Sequence, residues 1–196
     1  MKTMTLSDYH QKYAAMSVAE IAERASVKDD ELTAIFSAVQ PPEETAPAKV
    51  AVLGCGDRRF VAHHRLLFAK HLRRPVELTT FDITVEHLTG ERGVVQHDCT
   101  QPLPGGPYDV TFAHVILRFI ETERQWDLLQ NSVAALKPGG LAIHVLDRED
   151  YEDDGGGLAE TQFGVPLGRW QEKLRTAARL FQVIPVKYGV ALVIKG

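Results

Sequence analysis

From Lys49 onward, apolar runs of strand length alternate with segments whose apolar residues recur at helical spacing. That alternation leaves few folds open. Parallel strands need a crossover between them, and a helix is the usual crossover. Strands are expected at residues 50–53, 76–81, 93–97, 108–114 and 141–146. One helix carries Phe60, Val61, Leu66, Leu67, Phe68 and Leu72. Another spans about 121–136, with Trp126, Leu129, Val133 and Leu136 on one face, and a later one carries Trp170, Leu174, Ala177, Ala178 and Phe181. Residues 182–194 read as two strands about a tight turn at Tyr188-Gly189, hence antiparallel. The expectation is an α/β chain: a doubly wound, mostly parallel seven-stranded sheet with helices on both faces, ending in an antiparallel hairpin.

Residues 1–40 read as a small helical cap, 41–48 as a linker and 49–196 as the sheet domain. Prolines and acids in Gln40-Pro41-Pro42-Glu43-Glu44 oppose regular structure in the linker. Ser17 suits an N-cap, and Glu20 falls in the first turn that follows. Val18, Ile21, Ala22 and Ala25 share a face; a turn is expected at Ser26-Val27-Lys28; Leu32, Ile35, Phe36 and Val39 form a second helix. Residues 17–36 resemble a helix-turn-helix, but acid at Asp29-Asp30-Glu31 would repel phosphate. The helices are therefore expected to serve packing or a homodimer contact, and nucleic acid is disfavoured as a partner.

With 196 residues and a net charge of -4, the chain shows no broad basic footprint. Its two cysteines, Cys55 and Cys99, form no disulfide framework, and no Cys/His spacing suggests a zinc site, so no metal is expected. No apolar run approaches the roughly 20 residues of a membrane span, so no membrane association is expected and the expected location is cytoplasmic.

Five features fall at strand carboxyl ends or lead into a strand. They are Gly54-Cys55-Gly56, Asp82, Asp98, His114 and Lys137-Pro138-Gly139-Gly140. With the stretches 108–117 and 136–141 and the closing hairpin, this order resembles the class I S-adenosylmethionine-dependent methyltransferases, a Rossmann-like fold, over Lys49 to Gly196. The resemblance implies that Gly54, Cys55 and Gly56 let backbone approach the methionine part of the cofactor. It implies that Asp82, with Ile83 beside it, holds the ribose, and that Asp98 and the Cys99 backbone meet the adenine. His114 would lie at the sulfonium end, as both a cofactor contact and the catalytic candidate.

The sequence also departs from the family pattern. Val52 stands where an acidic residue is usual, and Arg58 where a third glycine is usual. Arg118 occupies the position of the catalytic histidine of one O-methyltransferase subgroup, and arginine cannot act as a base at neutral pH. His63, His64 and Arg65 are candidates to face substrate, with room for one of them at most. The acidic stretch 147–157 reads as a solvated loop, with a mobile lid, a seat for a cationic substrate and a metal site as its functional alternatives. The function implied is methyl transfer from S-adenosylmethionine to an acceptor, a small molecule being favoured. The alternative is a non-catalytic regulator or interaction protein working through its N-terminal helices. The closing hairpin and the lack of Gly-x-Gly-x-x-Gly disfavour a nicotinamide enzyme.

Overall fold

A computed structural model of the chain describes residues 8–41, 44–151 and 162–196. The strands are β1 (Ala48–Leu53), β2 (Val76–Asp82), β3 (Val94–Gln96), β4 (Tyr108–His114), β5 (Leu136–Asp147), β6 (Phe181–Val186) and β7 (Gly189–Lys195). They form one sheet in the order β3-β2-β1-β4-β5-β7-β6. Strands β1 to β5 pair in parallel, and β7 runs antiparallel to both β5 and β6. The helices are α1 (Asp8–Ala14), α2 (Val18–Ala38), α3 (Arg59–Leu72), α4 (Thr122–Ala134), α5 (Arg148–Tyr151) and α6 (Leu167–Thr176). The doubly wound sheet with a terminal hairpin is thus as expected.

The central strands are buried on both faces. Along β1, Val50 and Val52 join one cluster with Phe60, Phe68 and Phe112, while Ala51 and Leu53 join another with Leu128, Leu129 and Trp170. Strands covered by helices on both sides read as continuous apolar runs for this reason. Val52, where a carboxylate would be usual, is therefore a core residue.

Helix α2 departs from expectation. It is continuous from Val18 to Ala38, with no turn at Ser26-Val27-Lys28, so the helix-turn-helix reading is corrected. Nothing in that tripeptide breaks a helix, since it holds neither glycine nor proline. Continuing the helix also keeps Ile21, Ala25, Leu32 and Ile35 on one stripe, buried in the cluster with α3 and β6. The N-terminal capping box does form: Ser17 Oγ accepts from Glu20 N–H, and Glu20 accepts from Ser17 N–H at 2.7 Å. Smaller differences follow from packing. Leu66 is exposed, α4 stops at Ala134, α6 stops at Thr176, and Leu136 and Phe181 open strands. The Lys137-Pro138-Gly139-Gly140 turn lies within β5, where the register against β4 shifts between Tyr108 and Val110. Of the acidic stretch, Asp147 ends β5 and residues 148–151 form α5; residues 152–157 lie outside the described residues.

The amino edge of the sheet is closed by a charge network. Asp109 accepts from Lys49 N–H at 2.7 Å and from Arg74 Nη2 at 2.6 Å, and also pairs with Lys137. Arg74 donates further to Ala46 O and Glu44, and Lys137 to Glu44, which fastens the end of the linker. Arg74 and Asp109 are both buried, so each charge depends on the other. Asp109→Ala should cost about 3 kcal/mol, because it removes the buried carboxylate that pairs with Arg74 and Lys137. Denaturant unfolding at unchanged m-value checks this.

His144 on β5 is buried in the sheet, with Nε2 2.8 Å from Ser132 Oγ. Burial lowers its pKa to about 4 from 6.5. The unfolded chain therefore binds the proton more tightly, so this contribution to stability is complete above pH 6.5 and is lost as pH falls towards 4. In His144→Gln the unfolding free energy should depend less steeply on pH across that window than in the native chain. Equal slopes in pH-resolved unfolding would contradict the assignment.

Candidate functional site

At the carboxyl end of β1 the chain turns through Gly54, whose φ is +77°. Its N–H donates to Phe81 O at 2.7 Å. A Cβ built there would lie 2.5 Å from Ile116 Cδ1, so the position takes a residue without one on two grounds. The next amide, Cys55 N–H, donates to Asp82 Oδ2 at 2.8 Å, and Thr84 N–H donates to Oδ1 at 3.1 Å. The buried carboxylate is thus fixed at the end of β2, with acceptor capacity left on both oxygens. Ile83, beside it, is 64% exposed.

Two histidines complete this corner. His87 Nε2 lies 2.7 Å from Cys55 O, which requires the ring to donate there. In the neutral ring Nδ1 then carries the lone pair, and it is buried without a hydrogen-bond partner. His10 on α1 lies against His87 with ring centroids 4.0 Å apart. Ligand atoms of His10, Asp82 and His87 lie within 4.8 Å of one another. Spacing along the chain gives no sign of this trio, because three separate elements deliver it.

Arg58 is exposed, whereas its neighbour Arg59 is engaged. Asp57 accepts from Arg59 N–H, Nε and Nη2 at 2.7–2.8 Å, which also caps the start of α3. The remaining guanidinium donors reach Tyr13 O at 2.9 Å and Met16 O at 3.0 Å. Arg59 thereby fastens the α1–α2 connection to the glycine loop. Only the preference for a carboxylate near a helix start could have pointed to Asp57.

Asp98 follows β3. It accepts from Thr100 N–H at 3.0 Å, Thr100 Oγ1 at 2.7 Å and Arg124 Nη2 at 2.8 Å. Burial pushes its pKa up, but these donors outweigh it and hold the carboxyl below its usual range. Cys55 and Cys99 are buried, and burial pushes both thiols up to about 12, so neither is a nucleophile at neutral pH.

His114 ends β4, with Nε2 2.9 Å from Glu31 Oε2, a buried carboxylate on α2. Burial lowers the His114 pKa, the Lys28 charge lowers it further, and Glu31 opposes both. Val115 follows at φ +56°, a strained setting for a β-branched residue. Its N–H donates to Val145 O at 2.9 Å. This turn brings Ile116 over Gly54, linking the ends of β1 and β4.

A cavity of about 850 Å³ opens beside His114. Its walls come from α1, α2, the ends of β4 and β5, and Tyr188. His114 and Arg118 line it; Gly54, Cys55, Gly56, Asp82, Ile83, Asp98 and Cys99 do not. Arg118 is occupied by Asp147 at 3.2 Å, Glu149 at 2.7 Å and the buried Asp150. Burial pushes the Asp150 carboxyl up to about 6 despite that arginine. Of the three candidates on α3, none reaches the cavity. His64 is buried among Phe60 and Phe112, His63 faces Ala25 O, and Arg65 reaches Arg92 O.

No protein-family model matches the chain, and no curated protein matches its sequence. Solved structures do match its fold. An O-methyltransferase family protein from Burkholderia thailandensis superposes with TM-score 0.63 at 12% identity, covering 95% of this chain and 59% of that one. Human N-acetylserotonin methyltransferase, solved with S-adenosylmethionine, gives 0.60 at 20% identity, covering 95% and 55%. A pericyclic reaction enzyme gives 0.57 at 18% identity, covering 94% and 54%. The chain thus spans less than two thirds of the length of each of these three.

The contact between Gly54 and Ile116 carries its own test. Gly54→Ala should cost about 1–2 kcal/mol for the left-handed backbone, plus displacement of Ile116. In Gly54→Ala with Ile116→Ala the costs should fall short of additive by at least about 0.5 kcal/mol, which a double-mutant cycle of unfolding measures.

Proposed function

For a chain with the fold of the class I S-adenosylmethionine-dependent methyltransferases, we propose methyl transfer from that cofactor to a small-molecule acceptor. One observation carries the reading. The fixed carboxylate of Asp82 and the glycine turn at Gly54 stand next to a strand end whose histidine faces a ligand-sized cavity. Carboxyl ends of parallel strands are where such folds take their ligands.

The residues present fit the cofactor in part. Asp82 offers two acceptor oxygens for ribose hydroxyls, and the exposed Ile83 offers an apolar face for a base. Gly54 and Gly56 would admit the amino-acid end. Asp98 would serve the base only through acceptor capacity left by Thr100 and Arg124. When bound, the cofactor supplies an electrophilic methyl on a sulfonium. The protein then positions the acceptor and excludes water, which can supply on the order of 7–11 kcal/mol of the barrier. His114, lowered in pKa and oriented by Glu31, is the group placed to take a proton from an acceptor in the cavity.

A second reading is favoured by His10. Its ring lies within ligand distance of the Asp82 carboxylate, where the ribose would bind. On that reading the fold serves a non-catalytic interaction protein.

Titration calorimetry with S-adenosylhomocysteine separates the two. The first reading expects binding, weakened at least tenfold by Asp82→Ala. Unchanged affinity in Asp82→Ala removes Asp82 from the site. If neither the native chain nor His10→Ala binds at concentrations up to about 1 mM, the second reading stands. Parallel thermal shifts with NAD check the cofactor class.

A further inference from the structure

We propose that Lys28 is the seat for a carboxylate on the molecule that occupies the cavity beside His114. This rests on the reading of that cavity as the acceptor pocket. Lys28 lies on the stripe of α2 that carries Ile21, Ala25, Leu32 and Ile35, where an apolar residue would serve packing better. It lines the cavity. Its ammonium lies 5.5 Å over the Phe60 ring. Among the described residues it has no hydrogen bond and no carboxylate in ion-pair contact.

The other cations on the cavity wall are placed differently: Lys12 and Arg148 line it from exposed positions. Arg118 is held by three carboxylates, and Arg24 donates to the Tyr13 hydroxyl. Glu31, one turn along from Lys28, is turned to His114 instead. Lys28 is half-buried on the cavity wall, and with no hydrogen bond or ion pair among the described residues its charge is left open to the cavity. Dehydration pushes the Lys28 amine down to about 8, so the fold bears a charge it would hold more easily with an anion beside it. A lysine is a single point charge, without the fork that matches phosphate in two bonds. Glu20, Glu23, Glu31, Asp147 and Glu149 also line the cavity and oppose a multiply charged anion. One carboxylate on an otherwise uncharged molecule fits both facts. At about 850 Å³ the cavity has room for a molecule of that kind.

The test uses the whole chain and two isosteric probes, 4-hydroxybenzoate and its neutral amide, 4-hydroxybenzamide, titrated with and without S-adenosylhomocysteine. The native chain should bind the carboxylate at least tenfold more tightly than the amide. Lys28→Met should bring the two within threefold, and Lys28→Arg should keep the preference. Lys28→Met keeps an apolar stem of similar reach, so it should melt at or above the native temperature. The proposal is overturned if the native chain shows no preference or no binding, or if folded Lys28→Met retains the preference. Should S-adenosylhomocysteine fail to bind while the preference persists and depends on Lys28, the methyltransferase reading fails and the carboxylate seat stands.

Discussion

The hydrogen bond from Cys55 N–H to Asp82 Oδ2 joins the ends of two neighbouring strands just beyond the sheet's own ladder. Nearly every feature of the candidate site hangs from that joint. It sets the path of the glycine turn, and the turn sets the start of α3. From there Asp57 and Arg59 hold the first residues of the helix and reach back to the carbonyls between α1 and α2. The N-terminal helices are thus registered to the loop by hydrogen bonds as well as by their apolar face. A carboxylate does this better than a neutral acceptor because each oxygen accepts a charge-assisted bond and keeps capacity for another.

The two edges of the sheet treat polar groups differently. At the amino edge, Asp109, Arg74, Lys137 and Glu44 pair with one another. At the carboxyl edge the pairing is incomplete. Among the described residues, His87 Nδ1 is buried without a partner and Lys28 has no anion, and Val115 holds a backbone conformation that valine disfavours. Folding free energy alone gives no reason to keep such features together. Their position beside Gly54, Asp82 and His114 at the carboxyl edge is the physical ground for placing function there.

Much of this was readable from residue order. The strand pattern from Val50 to Ile194 returned seven strands in the expected directions, because alternating units with right-handed crossovers leave few arrangements. The placement of Gly54, Asp82, Asp98 and His114 at strand ends followed from the same pattern. The continuous α2 was not readable. The tripeptide Ser26-Val27-Lys28 looks like a turn in one dimension, and its helical state depended on the packing of Ile21, Ala25, Leu32 and Ile35 against α3 and β6. Leu66 was likewise assigned inward from its chemistry, although the face of α3 that packs is set by Phe60, His64, Leu67 and Phe68.

By itself, then, the sequence determined the class of fold, the edge at which function is placed and the identity of the glycine turn, because strand and helix periodicity and backbone freedom at glycine are local properties. Tertiary structure decided which charges remain open. Whether Arg58 or Arg59 is engaged, whether Asp98 is already occupied, whether His114 has a carboxylate and Lys28 has none are all settled by contacts between residues distant in the chain. Such contacts depend on burial and on the geometry of approach, and neither is written in the spacing of residues.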